Sequence, residues 1–262
     1  REEGIVYEAD QRHAEICLKE MGLDESSREV STPCDKSLDD IKNSNALKAN
    51  EEGDEKLEPS QATHYRAMTA RMNYLGQDRS EIQFAIKELS KEMSCPSKNS
   101  WGRLKRLLRY LKGRPRYRIW FEYQKMPSKI TVWSDSDFAG CKKSRKSTSA
   151  GVLMMGAHTL KTWATNQAVL ALSSGEAEYY AIVKAASVAL GIRSLAADMG
   201  IKFECPIAIK SDASAAIGIS SRVGIGKVRH IEVTQLWVQE KVVNGEIVIE
   251  KVATEDNLAD AL

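Results

Sequence analysis

Val132-Trp133-Ser134-Asp135-Ser136-Asp137 is a short apolar, β-favouring run that ends in two carboxylates. An acid just past the end of a buried strand stands at the rim of a sheet, where ligands of open α/β folds bind. For either acid alone the plainer reading is a solvated turn. Three later stretches change the balance, each bringing one more acid to the edge of an element: Glu178 within 173–181, Asp212 after 207–211, and Asp260 within 255–262. Two unit charges about 4 Å apart repel by roughly 4 kcal/mol at an effective dielectric near 20. A fold of ordinary marginal stability keeps four such acids together only with a cation to offset them. All-oxygen ligands suit Mg2+ or Mn2+ rather than zinc. Two such ions about 4 Å apart are the usual device for in-line attack on a phosphodiester.

The elements that must position these acids follow from the pattern beyond Lys129. Ile130 to Asp135 reads as a strand, and 150–155 with 159–165, turning around Gly156-Ala157-His158, as a hairpin. Ser173-x-x-Glu176 is a capping-box signature opening a helix toward Leu190 and on to Met199-Gly200. Ile207 to Ser211 is a short strand, and Asp212 leads straight into a helix over 213–219. A helix over about 231–243, a strand through Ile247, Ile249 and Val252, and a helix from near Asp256 complete the order. Asp260 then lies one turn into that last helix, with Asp256 on the same face. Three consecutive strands followed by strands alternating with helices imply a mixed sheet, antiparallel first and parallel later. If the strands before Asp135 and Asp212 are parallel neighbours, both acids emerge at one edge.

Upstream, residues 1–23 carry a modest helical pattern on Ala14, Cys17, Leu18 and Met21, closed by Gly22. From 24 to 60, Ser, Asp, Glu, Lys and Asn dominate, a composition that predicts a disordered polar linker. Three helices should follow within 61–128: about 61–75, about 80–93, and 101–112 capped by Asn99 or Ser100. The third presents Arg103, Lys105, Arg106, Arg109 and Lys112 outside its apolar stripe. Such a face is either solvated or a phosphate contact.

At 262 residues the chain suffices for one or two domains, and a formal charge of +2 leaves any partner argument to local patches. Five scattered cysteines without a Cys-x-x-Cys pair point to neither a zinc site nor a disulfide framework, and fit a reducing compartment. No apolar run approaches the roughly 20 residues of a membrane span. The chain stops a few residues into what reads as a helix, as a fragment would.

Six motifs occur in order: Ser-Asp-Ser-Asp-Phe-Ala-Gly, Lys-Ser-Thr-Ser-Ala-Gly, Leu-Ser-Ser-Gly-Glu-Ala-Glu-Tyr-Tyr-Ala, Lys-Ser-Asp-Ala-Ser-Ala-Ala-Ile, Val-Arg-His-Ile-Glu-Val and Thr-Glu-Asp-Asn-Leu-Ala-Asp-Ala-Leu. This set, over 129–262, resembles the ribonuclease H domain of copia-type retrotransposon polyproteins. Upstream, Phe-Ala-Ile-Lys-Glu-Leu-Ser and Leu-Lys-Arg-Leu-Leu-Arg-Tyr-Leu-Lys-Gly are similar to the C-terminal, thumb-like part of the same family's reverse transcriptase. The resemblance implies an α/β, ribonuclease H-like mixed five-stranded sheet, preceded by a small helical region. It implies a metal-dependent endonuclease that cuts the RNA strand of an RNA–DNA hybrid, with two Mg2+ or Mn2+ ions on Asp135, Glu178, Asp212 and Asp260. Asp137 and Glu176 are flanking acids without a catalytic assignment.

The remainder of the polyprotein, with its reverse transcriptase domain, is the implied protein partner, in the cytoplasm within a virus-like particle or in the nucleus. The polymerase's Tyr-x-Asp-Asp motif is absent, since the sole Asp-Asp pair, Asp39-Asp40, lies in the polar stretch. The expected hybrid contacts are Lys142, Lys143, Arg145 and Lys146 in the loop after Asp135, with Arg103, Arg106 and Arg109 on the third helix. Ser147, Thr148 and Ser149 are candidates for reading the 2′-hydroxyl. No His lies between Val252 and Asp260, and His230 reads as a helix-start or phosphate-positioning residue. A nucleic-acid-binding remnant without turnover is the competing reading.

Overall fold

Alternation buries Ile130, Val132 and the small Ser134 on one face of β3 (Ile130–Asp137), the central strand of a five-stranded sheet. In the computed structural model, which describes residues 3–24, 26–34, 55–141, 144–224, 226, 231 and 233–262, the chain forms two units. One comprises Phe121–Leu262 with Arg1–Ile5, the other Val6–Trp120. In the first unit, β4 (Thr148–Met155), β5 (His158–Asn166), β6 (Ile207–Ser211) and β7 (Ile247–Lys251) join β3 in the order β5-β4-β3-β6-β7. Pairing is antiparallel across β5, β4 and β3 and parallel across β3, β6 and β7. This is the mixed α/β sheet that the sequence pattern implied.

The helix over the sheet is α5 (Ser174–Asp198), a single 25-residue element. Ser173 caps it by accepting the Glu176 N–H at 3.2 Å, but the second half of the expected capping box differs. Glu176 accepts the N–H of Leu172 at 2.8 Å and the hydroxyl of Tyr180 at 2.7 Å, so it braces the loop before the helix. Ala177, Ala181, Ala185 and Ala189 recur every fourth residue with no exposed surface, and this row of methyls lets the helix lie close to the strands. By length and composition alone α5 is long and apolar enough to cross a membrane, although no single uninterrupted apolar run is. Its apolar residues between Ala177 and Ala189 pack in this core, while Leu195 near its end is exposed.

The C-terminal elements depart from expectation. The helix read over 231–243 is reduced to a 3-10 turn, Val233–Gln235, and α7 (Trp237–Val243), after the short α6 (Ser214–Ser220). The helix expected from Asp256 is two 3-10 turns, Thr254–Asp256 and Leu258–Ala261, separated by Asn257 in an extended conformation. Asp256 and Asp260 therefore do not share a helical face.

In the second unit, α1 (Arg12–Glu20), α2 (Pro59–Leu75), α3 (Gln83–Lys91) and α4 (Lys98–Gly113) enclose Cys17, Tyr65, Met68, Ile86, Leu107 and Leu111. The cap of α4 is Ser97, not Asn99 or Ser100: its extended backbone lets its hydroxyl accept the Ser100 N–H, and Ser100 returns the bond. Two strands that the sequence pattern did not indicate, β1 (Ile5–Glu8) and β2 (Arg118–Phe121), pair with each other. Part of the polar stretch is also ordered against this unit. Arg106 donates to the Thr32 hydroxyl at 2.8 Å, Lys112 to the Ser27 carbonyl at 2.7 Å, and Val30 and Cys34 pack on the helical core. Residues 35–54 of that stretch lie outside the described residues.

Gly151 in β4 faces Trp163 in β5, and a Cβ there would overlap the indole ring. Gly151→Ala is expected to destabilise the sheet unit by roughly 1–3 kcal/mol, read as a lower midpoint in urea denaturation.

Candidate active site

The strand pattern itself opens the site. β3 and β6 pair from Thr131↔Ala208 to Trp133↔Lys210 and no further, while β3 continues along β4 to Asp137. A gap thus forms at the C-terminal ends of two parallel strands, at the place where the sheet changes from antiparallel to parallel. Asp135 faces it from β3, paired with Ala150 of β4, and Asp212 follows Ser211 at the end of β6. α5 brings Glu178, only 9% exposed, to the same place. Carboxylate oxygens of Asp135, Glu178 and Asp212 all lie within 4.8 Å of one another.

Neighbouring groups orient two of these acids. The Ser136 N–H donates to Glu178 Oε1 at 3.2 Å, whereas Oε2 of Glu178 is buried without a hydrogen-bond partner. Thr254 donates its hydroxyl to Asp212 Oδ2 at 2.8 Å, and Lys251 Nζ donates to the Asp212 carbonyl oxygen at 2.9 Å. Asp260, on the turn Leu258–Ala261, is exposed and stands outside the close set. It is still near enough for its charge to act on Asp135.

Burial raises the Asp135 carboxyl to about 6, reinforced by the charges of Asp212 and Asp260. Burial also raises Glu178 to about 8, with Asp135 as the next cause. Without a cation, therefore, the site holds protons that free carboxylates would have lost. An oxygen-only set with an unpartnered buried carboxylate oxygen fits a hard divalent ion such as Mg2+ or Mn2+. Three of the four expected ligands are thus assembled, and the fourth stands beside them.

The expected substrate contacts divide. Lys142, Lys143 and His230 lie outside the described residues. Arg145 is exposed with a positive φ of 56°, and Lys146 donates its ammonium to the Ala168 carbonyl at 2.7 Å. Ser147, Thr148 and Ser149 are corrected: all three are buried. Ser147 Oγ accepts the Ala139 N–H at 3.0 Å and Ser149 Oγ accepts from Gln167 at 3.0 Å, bonds that hold the sheet edge. Arg103, Arg106 and Arg109 belong to α4 of the helical unit, where Arg106 bonds Thr32 and Arg109 donates to the Arg28 carbonyl. The stretch 27–32 thus occupies part of the face read as a phosphate contact.

Sequence reasoning missed Thr254 and Asn257. Both sit in a polar run that reads as a helix start. The Asn257 Oδ1 acceptance of the Ala259 N–H at 3.2 Å is the local turn bond that Asn favours, and would have been the signal.

Sheet order and acid placement define a ribonuclease H-like α/β domain. The curated relatives to which the chain is similar are retrovirus-related Pol polyproteins of copia-type transposons. It is 30% identical over 201 residues to the Pol polyprotein from transposon RE2 of Arabidopsis thaliana, covering 76% of this chain and 14% of that protein. The corresponding polyprotein from transposon RE1 of the same plant is 31% identical over the same shares. The chain therefore spans about one seventh of the length of these relatives, 14%. No protein-family model matches the chain. Among solved structures, the N-terminal RNase H domain of a Mycobacterium tuberculosis protein superposes with a TM-score of 0.35 at 19% identity, over 51% of this chain and 89% of that one. The strand order of the sheet, not this modest superposition, defines the fold class.

With both acids raised, the folded chain keeps protons that the unfolded chain has released once pH passes the ordinary carboxylate range. Metal-free protein is expected to lose stability as pH rises through that range to about 8. Thermal melts in EDTA at about pH 5 and about pH 8 should show this fall, and Glu178→Gln should shrink it.

Proposed function

We propose that the unit 121–262 is a metal-dependent endonuclease that hydrolyses the RNA strand of RNA–DNA hybrids, as part of a polyprotein that carries out reverse transcription. The observation that carries this reading is the set of three carboxylates from β3, α5 and the end of β6, with oxygens within 4.8 Å and one Glu178 oxygen buried and unpartnered. A bound Mg2+ or Mn2+ would supply Lewis acidity and a water of lowered pKa. Asp135, Glu178 and Asp212 would hold it, with Asp260 at the exposed side. The Ser136 N–H keeps Glu178 turned toward the other acids, and Thr254 leaves one oxygen of Asp212 for the site. Binding of the hybrid backbone is assigned to Lys142, Lys143, Arg145 and Lys146, with His230 as a phosphate-positioning residue. Selection of RNA falls to groups other than Ser147, Thr148 and Ser149.

Cleavage of labelled hybrid in Mg2+ and its abolition by EDTA test the reading. Asp135→Asn and Glu178→Gln should each lower turnover by more than about 100-fold while hybrid affinity is unchanged. Asp260→Asn should cost less, since Asp260 is exposed and outside the close set. Hybrid binding without any RNA fragments over time would favour a binding remnant instead.

Arg145→Glu should weaken hybrid binding and lower the slope of log affinity against log salt by about one unit. An unchanged slope would remove Arg145 from the interface.

A further inference from the structure

The last turn of the chain reaches the site through one buried side chain. Asn257 is 5% exposed, and its Nδ2 donates to the Ser134 carbonyl at 3.2 Å while its Oδ1 accepts the Ala259 N–H at 3.2 Å. The two partners are an acceptor that cannot donate and a donor that cannot accept, so the orientation of the amide is determined. Ser134 is the residue after the last β3–β6 pair and immediately precedes Asp135. At the point where β6 leaves β3, the Asn257 amide takes up a β3 carbonyl. The same residue's carbonyl accepts the Asp260 N–H at 3.1 Å, and Ala259, between them, has no exposed surface.

We infer that Asn257 is a positioning residue of the metal site: it clamps the turn carrying Asp260 to the strand carrying Asp135, and thereby sets the distance of the outermost acid from the other three. This rests on the nuclease reading only for its effect on turnover. No other side chain of this size meets both demands. Asp at this position keeps the acceptor for Ala259 but turns an oxygen toward the Ser134 carbonyl, and Ala loses both bonds. Gln carries the amide one bond farther from the backbone. Asp260 is itself exposed, so the Asn257 clamp, together with the buried Ala259, holds its place.

The test uses the full chain and Mn2+ as the probe, with binding read by paramagnetic resonance of free Mn2+ and turnover read on RNA–DNA hybrid. Asn257→Asp and Asn257→Ala are expected to weaken Mn2+ binding and lower kcat by about 10–100-fold, with KM for hybrid unchanged. In an Asp260→Asn background the same substitutions should add nothing, because Asn257 acts through Asp260. Thermal melts separate this from unfolding: the variants are compared at temperatures where each is fully folded. Equal Mn2+ affinity in the wild type and Asn257→Ala would overturn the inference, as would a loss of the same size with and without Asp260. A wild type that leaves hybrid uncut would sink the nuclease reading, while the Mn2+ comparison would still judge Asn257.

Discussion

Three carboxylates held within 4.8 Å repel one another, and the sheet unit is built to withstand that repulsion. Each pair costs on the order of 4 kcal/mol at an effective dielectric near 20 when both members are charged, a large share of a domain's stability. Each acid is therefore mounted on a different rigid element. β3 is gripped on both sides, by β4 along its whole length and by β6 along its first half. β6 is gripped by β3 and β7. α5 cannot retreat, because its alanine row is buried against the strands. Protonation of Asp135 and Glu178 relieves the charge when no cation is present, and a cation relieves it without protons.

The parting of β3 from β6 is the geometric consequence of the same arrangement. Parallel strands that stayed paired to their ends would leave no space for a ligand between Asp135 and Asp212. The carbonyl freed by the parting is satisfied by Asn257, and the end of β6 is extended by Val252 N–H to the Ser211 carbonyl. The site thus has no unpaired backbone group at Ser134 despite the break in pairing. Beside it, Ala139 adopts a positive φ of 53°, and Gly140 leaves room for the Asp137 carboxylate, where a Cβ would collide. The turn after β3 is closed onto the sheet by the buried Ser147 hydroxyl, which makes the Lys-Ser-Thr-Ser motif a structural support.

In the helical unit the balance is different. Its core is a set of long side chains, Tyr65, Met68, Met72, Leu104, Leu107, Leu108 and Leu111, whose spacing alone dictates which faces meet. The polar residues that follow α1 are held by α4's arginines and lysine, through backbone carbonyls of Ser27 and Arg28 and the Thr32 hydroxyl. Composition read this stretch as unable to bury enough surface, which is true of it alone. In the folded unit it is held by donors that α4 presents.

The sequence by itself determined the sheet's strands, the three acids at their ends and the first turn of α5, because each has a local cause. Alternating apolar residues end in a carboxylate at Asp135, Ile207–Ser211 ends in Asp212, and Ser173 caps the helix that carries Glu178. Motif order also pointed to the polyproteins that the chain resembles. Tertiary structure alone decided three matters that depend on contacts distant along the chain. The polar run 254–260 became two 3-10 turns instead of a helix, since Thr254 is drawn to Asp212 and Asn257 to Ser134, 123 residues away. Thr148 and Ser149, polar and plausible as substrate contacts, were buried because the register of β4 against β3 places them at a packed edge, and Ser147 just before the strand is buried with them. And Asp260 was set apart from the other three acids, since an exposed turn tethered through a neighbouring side chain does not bring a carboxylate in as closely as a strand end or a buried helix does.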